Sequence, residues 1–436
     1  MIRLAIIAAT TILVATAVYA AEFEPATLTV PASSIIETNL LKGEHYTIGE
    51  TVTVDGYMNH YTVDSEFGQF TPVGDRALKK LLHEIDAIAE LRKMTSANTG
   101  KDAAIGAVTD TGKSLVNLAT NPVETVEGMS AGVSRFFKRT SRTVKNVSSE
   151  VAETAKESIN GDDKDIAADT ASDEGDDPGM TTQLASSFMG IGKAHRELAR
   201  ELKVDPYSDN AVLQADLKRV SQISGSVGKI SKILIPIPSV VGTAASVSDM
   251  VWNLSPMDLL IQNEEKLKAL GYPEELIKAF FSNQLFSPTE QTIFVAALES
   301  LDKTQGREVL LKMATSVESQ IESEFLVRSI MFVQLYHQNI EPVTELISVP
   351  DGLVPVAVTE SGNGLIVAPL DQLIWTVEVA AATERLGKLI DGHDAINEKL
   401  MWVEGRVSDM ALARLSAYGW VGSTEDFQKL QAMIKD

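Results

Sequence analysis

Cysteine is absent from all 436 residues of the chain. Its absence excludes disulfide bonds, thiolate metal sites, a cysteine nucleophile and the amino-terminal lipidation that bacterial lipoproteins carry. Aromatic residues make up only 6% of the sequence, while 44% of it is hydrophobic and 22% is charged, a composition typical of a folded globular protein. The fold must therefore be held by buried apolar surface, and a chain of this length can bury enough without cross-links.

Positive charge is also scarce. Lys and Arg total 38 residues against 60 for Asp and Glu, which gives a formal net charge of -22 at pH 7. Such an excess of negative charge opposes attraction of the chain as a whole to phosphate backbones. We therefore expect no nucleic-acid partner.

The amino terminus carries an apolar run with the features of an export signal. Arg3 supplies a positive start, Leu4 to Val18 is apolar with small residues and Thr, and Val18-Tyr19-Ala20 fits the small-x-small cleavage rule. This pattern predicts a signal peptide over residues 1–20 and export of the mature chain to the periplasm or the medium. An uncleaved anchor is the alternative, although the run is shorter than the ~20 residues that span a bilayer.

A second apolar stretch runs from Ile230 to Val247. Pro236, Pro238 and Gly242 interrupt it, and such breaks suit a packed turn between helices better than a lipid-facing helix. We therefore expect no transmembrane helix in the mature chain.

Residues 21–74 have the pattern of a small β-rich region. Short β-branched and aromatic runs over residues 45–54, 60–63 and 67–71 alternate with turn residues, which predicts an antiparallel meander. From Asp75 onwards, Leu and Ile recur at intervals of three and four. This spacing predicts a helix that begins at Asp75 and runs to about Met94.

Residues 75–160 are predicted to be helical and to contain a basic amphipathic helix. Between residues 133 and 155, apolar side chains fall on one side of a helical wheel and basic ones on the other. The basic side consists of Arg135, Lys138, Arg139, Arg142 and Lys145. With Phe136 and Phe137 inserted, this helix suits an anionic lipid surface; alternatively, it packs on the protein and its cations meet the acidic residues that follow.

An acidic segment follows this helix. Residues 150–177 hold eleven acidic and two basic residues, and large apolar side chains are almost missing between 161 and 179. We predict an acidic disordered linker over residues 161–180. Its acids partly imitate a calcium loop, but Ala167 and Ala168 replace an oxygen ligand and the glycine of the sharp turn, so we expect no calcium site.

Residues 181–436 are predicted to form an α-helical domain. The periodicity predicts helices over residues 184–203, 211–224, 256–270, 273–283, 287–301, 304–319 and 321–340. A small β insertion is expected near residues 344–368, before the last helices. The fold class is therefore mainly α: a helical array with a small amino-terminal antiparallel β meander and that insertion. Trp375, Trp402 and Trp420 are expected to anchor the core of this domain or to line a groove.

Two stretches imitate sites that bind cofactors or metals. Gly106 to Ser114 resembles a phosphate-binding loop, but five residues instead of four separate its glycines. His83-Glu84-Ile85-Asp86-Ala87 starts like a zinc-binding helix, but Ala87 stands where the second imidazole must reach the metal. We therefore predict no cofactor and no metal, and we expect His83 and Glu84 to be exposed helix residues.

No serine turn of the Gly-x-Ser-x-Gly type occurs, and no catalytic residue can be nominated from the pattern. Catalytic triads are defined by geometry and not by sequence order. A site assembled from distant residues therefore stays open as an alternative.

Three blocks of the sequence resemble blocks in a group of exported bacterial proteins that has no assigned activity. The blocks are Gly68–Thr71 with Leu81–Leu91, Asn121–Gly128 with Gly132–Phe137, and Ala199–Ser208. The resemblance implies a protein of the bacterial envelope or a secreted protein. It brings no cofactor and no catalytic residue.

Together these patterns predict an exported, non-enzymatic binding or scaffold protein of the bacterial envelope. Its candidate surface is the basic helix around residues 135–145, and its partner is an envelope protein or an anionic lipid surface, bound in a salt-sensitive way. The first alternative is a hydrolase whose site is assembled in the carboxy-terminal helical domain from carboxylates with His337 or His393. The second alternative is a membrane-active secreted factor.

Overall fold

The computed structural model describes residues 22–99, 191–223, 245–301, 303–349 and 352–432. These ranges contain twelve α-helices, and helix accounts for 51% of the described residues. The described part of the chain is therefore mainly α-helical, with small sheets, as the periodicity predicts. Within it, no helix combines the length and the apolar character that crossing a membrane requires. The predicted signal peptide, basic helix and acidic linker lie outside these ranges.

The amino-terminal strands form two three-stranded antiparallel sheets instead of the predicted single meander. The strands are β1 (Leu28–Pro31), β2 (Tyr46–Ile48), β3 (Thr51–Val54), β4 (Asn59–His60), β5 (Val63–Ser65) and β6 (Gly68–Phe70). They are ordered β1-β3-β4 and β2-β5-β6. The chain leaves one sheet for the other between β2 and β3, where the Gly49 N–H donates to the Thr62 carbonyl (2.8 Å). The prediction of a single meander was therefore wrong in how the strands are connected. Local alternation of residues does not reveal a hydrogen bond between segments that are separated in the sequence.

Helix α1 (Asp75–Thr99) starts at Asp75, as predicted, and continues beyond Met94. It contributes to two separate apolar cores. Its first half buries Leu78, Leu81, Leu82 and Ile85 among the amino-terminal strands. Its second half buries Ala87, Ile88 and Leu91 against a pair of helices, α2 (Lys193–Leu202) and α3 (Ala211–Ile223). One helix thus joins the strands to the helices that follow.

A helical array fills the middle of the described chain. It consists of α4 (Ala245–Asn253), α5 (Pro256–Ala269), α6 (Glu274–Phe281), α7 (Pro288–Ser300), α8 (Glu308–Thr315) and α9 (Gln320–Asn339). Ser255 and Ser287 each close a capping box at the start of α5 and α7, with Pro at the first helical position. Side-chain oxygens there satisfy backbone N–H groups that the first turn leaves free. These local signals explain why the predicted helices from residue 256 to residue 340 lie close to the observed ones.

The carboxy-terminal part contains a five-stranded mixed sheet. Its elements are β7 (Val343–Ile347), β8 (Val356–Thr359), β9 (Asn363–Ala368), α10 (Val377–Asp391), β11 (Glu398–Val403), α11 (Asp409–Ala417) and β13 (Trp420–Ser423), followed by α12 (Glu425–Ala432). The strand order is β13-β11-β9-β8-β7. Strands β9, β11 and β13 are parallel, whereas β7, β8 and β9 are antiparallel. A short parallel pair, β10 (Gln372–Leu373) and β12 (Arg406–Val407), lies beside it.

The sheet extends well beyond the insertion predicted near residues 344–368. Strands β11 and β13 lie in the stretch where only helices were expected. Every residue of β9 after Asn363 is buried, and a strand covered on both faces shows no alternation that separates it from a buried helix. Trp375, Trp402 and Trp420 are all buried, which confirms their predicted place in the core.

The two edges of this sheet differ. At β7, the Gln305 N–H donates to the Thr344 carbonyl and the Leu346 N–H donates to the Gln305 carbonyl, both at 2.9 Å. Gly306 makes this approach possible, because its φ is +69° and a Cβ would lie only 2.3 Å from the Leu346 carbonyl oxygen. At the other edge, β13 pairs only with β11 among the described residues, and Val421 is 48% exposed.

Replacing Phe280 by Ala should strongly destabilise the helical array. Phe280 is fully buried, and its ring centroid lies 5.0 Å from that of Phe281 and 5.2 Å from that of Phe294. Loss of this ring leaves a cavity, so we expect the free energy of unfolding in urea to fall by about 3–5 kcal/mol. Leu412→Ala, at a position that is 44% exposed, is the control and should stay within about 0.5 kcal/mol. Equal losses in the two variants would contradict this packing.

Candidate functional site

Three charged residues follow one another along α1 at intervals of four: Arg76, Lys80 and Glu84. Since an α-helix has 3.6 residues per turn, residues at this spacing share one face. The face is turned away from the strands and towards the loop between α2 and α3. It forms one wall of a charged crevice.

The α2–α3 loop holds this wall through hydrogen bonds and an ion pair. Lys80 Nζ lies 2.7 Å from Asp209 Oδ1. Ser208 Oγ donates to Glu84 Oε1 at 2.6 Å, and Asn210 Nδ2 donates to Glu84 Oε2 at 2.9 Å. Both oxygens of the buried Glu84 carboxylate are thereby satisfied.

His83 and Glu84 are buried, with 7% and 3% exposure, so the expectation that both are exposed was wrong. His83 Nε2 lies 3.2 Å from the Leu202 carbonyl oxygen and 3.1 Å from that of Lys203, at the carboxyl end of α2. The groups that cover the two side chains are far along the chain. The local pattern shows only the Leu and Ile face of α1 and therefore missed this second contact.

The same loop is attached to α7. Asp205 Oδ1 accepts the Tyr207 N–H at 2.9 Å and the Thr289 hydroxyl at 2.7 Å. The loop that carries Asp209 is therefore fixed between α1 and the helical array.

Arg76 and Lys80 interact electrostatically with a second group of charged residues, which we take as the opposite wall of the crevice: Glu290 on α7, Glu324 and Arg328 on α9, and Glu404 after β11. Glu290 Oε2 accepts the Ser287 N–H at 2.7 Å as part of its capping box. Arg328 Nε donates to Glu404 Oε2 at 2.6 Å, and a second bond joins the same two side chains. This bidentate pair engages Arg328, which is the residue one turn along α9 from Glu324.

The pKa values of Arg76 and Lys80 are shifted in opposite directions. Burial lowers the pKa of Arg76 to about 9 and the positive charge of Arg328 adds to this shift, while Glu404, Glu324 and Glu290 oppose it. Burial also opposes the charge on Lys80, but Glu84, Asp209 and Glu324 outweigh it and raise the pKa of Lys80. Lys80 therefore stays charged as the counter-ion of the surrounding acids.

Glu290, Glu324 and Glu84 hold their protons more tightly than usual. The pKa of Asp209, in contrast, is lowered, because Lys80 outweighs the effect of burial. Burial, with a further contribution from the negative charge of Glu324, raises the pKa of Glu290 to about 8. Burial likewise raises the pKa values of Glu324 and Glu84. Desolvation of the charged form is the common cause.

Water nevertheless reaches this cluster. Arg76 is exposed, and the side chains of Lys80 and Asp209 are 40% and 54% exposed. These side chains have protein groups around them but remain accessible to solvent. They therefore line a crevice and are not part of a core. Solvent screening limits the Lys80–Asp209 pair to about 1 kcal/mol or less. Arg76 and Glu324 have no hydrogen bond or ion pair with another described residue.

The histidines of the hydrolase alternative lie elsewhere. His337 Nδ1 accepts the Val343 N–H at 2.9 Å, and His393 Nε2 lies 3.4 Å from Glu345 Oε2. In the described ranges, no histidine forms a hydrogen bond with a Ser or Thr hydroxyl, so no Ser–His pair is assembled there. The same ranges contain no group of three or more His, Asp or Glu side chains arranged to hold a metal ion.

The surface predicted from the sequence lies outside the described residues. This concerns Arg135, Phe136, Phe137, Lys138, Arg139, Arg142 and Lys145. The crevice was not predicted, although one signal was available: charged residues at intervals of four beside an apolar face of α1.

No protein-family model, no curated protein and no solved structure matches the chain. The resemblance to exported bacterial proteins therefore stays a prediction. The fold and the crevice define a mainly α-helical protein with small sheets and a wet, mixed-charge site between α1 and the helices α7 and α9.

Glu290→Gln should flatten the dependence of stability on pH. The pKa of Glu290 in the folded protein is raised from 4.5 to about 8, so the folded state binds this proton more tightly than the unfolded state. The resulting stability is present below pH 4.5 and is lost as the pH rises through about 8. Gln imitates the protonated acid and can still accept the Ser287 N–H.

The melting temperature of both proteins, followed from pH 4.5 to 8, tests this expectation. Wild type should lose stability over this range, and the variant should lose less. Glu299→Gln is the control, because Glu299 is 50% exposed and pairs with Lys266 outside the crevice. Parallel profiles of Glu290→Gln and wild type would show that Glu290 does not titrate in this range.

Proposed function

We propose that the protein is an exported, non-enzymatic binding or scaffold protein of the bacterial envelope. The observation that carries the binding part is the crevice, where Arg76 and Glu324 present opposite charges without an ion pair among the described residues. Charged groups held in place in this way favour a partner with complementary charges. The export part rests on the pattern of residues 1–20 and on the resemblance to exported proteins.

The partner of the crevice is a protein segment that presents an acidic and a basic side chain close together. The acidic group pairs with Arg76 and the basic group with Glu324. The basic helix around residues 135–145 is a second proposed surface, directed at an envelope protein or anionic lipid. Both contacts are electrostatic and therefore weaken as salt screens them.

Replacing both Arg76 and Glu324 by Gln should weaken partner binding about tenfold, the effect of losing roughly 1.4 kcal/mol of charge pairing. The measurement is recovery of cross-linked envelope partners by the immobilised mature protein at low and at high salt. The matched control replaces Glu384 and Lys388 by Gln, because these residues form an exposed pair on α10. Equal recovery by wild type and the crevice variant at both salt concentrations would refute the crevice as the contact surface.

Replacing Arg135, Lys138, Arg139, Arg142 and Lys145 by Gln tests the second surface. Recovery on anionic vesicles or with envelope partners should fall while thermal unfolding stays unchanged. Unchanged recovery would discard this surface. Release of a dye from the same vesicles by wild type would favour the membrane-active factor instead.

One observation favours the hydrolase alternative. Glu290 and Glu324 share the crevice and interact electrostatically, and the pKa of Glu290 is raised to about 8. A carboxylic acid that keeps its proton at neutral pH beside a second carboxyl group resembles the acid and base pair of glycoside hydrolysis. His337 and His393 make their contacts at the β7 side of the sheet and do not contribute to this pair.

A screen of the mature protein with ester, peptide and glycan substrates separates the two functions. The binding proposal predicts no turnover by wild type. Turnover that disappears in Glu324→Gln and persists after replacement of His337 and His393 would instead establish a carboxylate-based hydrolase. Folding of each variant is checked by its melting temperature.

A further inference from the structure

The amino-terminal strands meet the carboxy-terminal sheet at a joint made of polar groups. The N–H groups of Asp371 and Gln372 both donate to the Tyr57 carbonyl at 3.0 Å. Gln372 Nε2 donates to Asn59 Oδ1 at 2.8 Å. Elsewhere in the joint, the Trp375 N–H donates to Glu24 Oε2 at 2.6 Å. These bonds join residues that are about 300 positions apart in sequence.

Asp371 is the central acceptor of this joint. Its Oδ2 accepts the Asn59 N–H at 2.9 Å, and its Oδ1 accepts the Asp75 N–H at 3.0 Å. Because Asp75 is the first residue of α1, Asp371 caps that helix from a distant part of the chain, where the helix dipole favours a negative charge. Gly74 leaves room for the carboxylate, since a Cβ there would lie 3.6 Å from Asp371 Oδ2 and 2.9 Å from Met58 Cε.

A second carboxyl group stands beside the first. Asp75 Oδ1 accepts Asn59 Nδ2 at 2.7 Å and also accepts the Tyr61 hydroxyl. Asp371 therefore accepts a hydrogen bond from the backbone N–H of Asp75, and the side chain of Asp75 is also a carboxyl group. Two carboxylates at such a site cannot both ionise without repulsion.

Other charged and titratable groups surround the pair. They are Glu404 after β11, with its partner Arg328 on α9, Arg76 on α1, Tyr61, and His60 with its partner Asp55 (2.8 Å). Burial raises the pKa of Asp371 well above its usual range; Asp75 and Glu404 add to this, and the two N–H donors oppose it. The balance resists ionisation of Asp371.

We propose that the Asp371–Asp75 pair is a pH-responsive joint between the amino-terminal strands and the carboxy-terminal sheet. The joint is tight while Asp371 keeps its proton. It loosens when Asp371 ionises, because repulsion from the neighbouring Asp75 side chain then acts across the hydrogen bonds from Asn59 and Asp75 to Asp371. The device is independent of the proposed function, since it needs only a change of pH around the protein.

Hydrogen exchange of the Asn59 and Asp75 amides, corrected for the intrinsic effect of pH, tests the joint in the full chain. In wild type, protection of both amides should fall at least about tenfold as the pH rises through the titration of Asp371. Asp75→Asn removes the like charge and keeps an oxygen acceptor for Asn59 and Tyr61. Its protection should fall less than that of wild type over the same pH range, because burial still acts on Asp371 and the repulsion from residue 75 is gone.

Asp371→Asn distinguishes the joint from a general effect of pH. The Asn side chain has one oxygen acceptor where the carboxylate has two, so one of the two N–H groups loses its acceptor. Protection should therefore be low and independent of pH. Glu384→Gln, on the exposed face of α10, is the control and should keep the wild-type profile. A flat wild-type profile, or a wild-type profile retained in Asp75→Asn, would overturn the proposal.

Discussion

Helix α1 buries Leu78 and Ile85 among the amino-terminal strands and Ile88 and Leu91 against α2 and α3. No disulfide bond can hold these parts together, because the chain has no cysteine. The double burial of a single helix therefore fixes the position of everything that α1 carries. Its first residue, Asp75, supplies the joint with the sheet, and its first three turns supply one wall of the crevice.

The helices could be predicted because their signals are local. Ser287 and Glu290 lie three residues apart, and Pro288 occupies the first helical position, so the start of α7 is encoded within four residues. The strands were harder to predict from the sequence. Strand β9 is buried on both faces. Strand β11 pairs with β9 in parallel, and β13 pairs with β11 in parallel. Short apolar runs of this kind do not specify strand or helix by themselves.

The crevice could be predicted only in part. The spacing of Arg76, Lys80 and Glu84 is visible in the sequence, but their partners are not. Lys80 pairs with Asp209, which is 129 residues away in the sequence. The same holds for the joint, where Asn59 and Asp371 are 312 residues apart. Pairings at such distances depend on how whole elements pack. The basic helix predicted around residues 135–145 was the more visible pattern for the opposite reason, since its charged and apolar residues are close together in the sequence.

The two edges of the five-stranded sheet differ because residue 306 is a glycine, whose α-carbon carries a hydrogen atom in place of a side chain. Gly306 allows residues 304–306 to lie against β7, and a Cβ at this position would collide with the Leu346 carbonyl oxygen. Alanine there would push the covering segment away and leave the N–H and C=O groups of β7 without their partners. Among the described residues, a single methyl group at position 306 thus separates a sheet with one uncovered edge from a sheet with two, and uncovered edges on both sides can be extended by foreign strands in both directions.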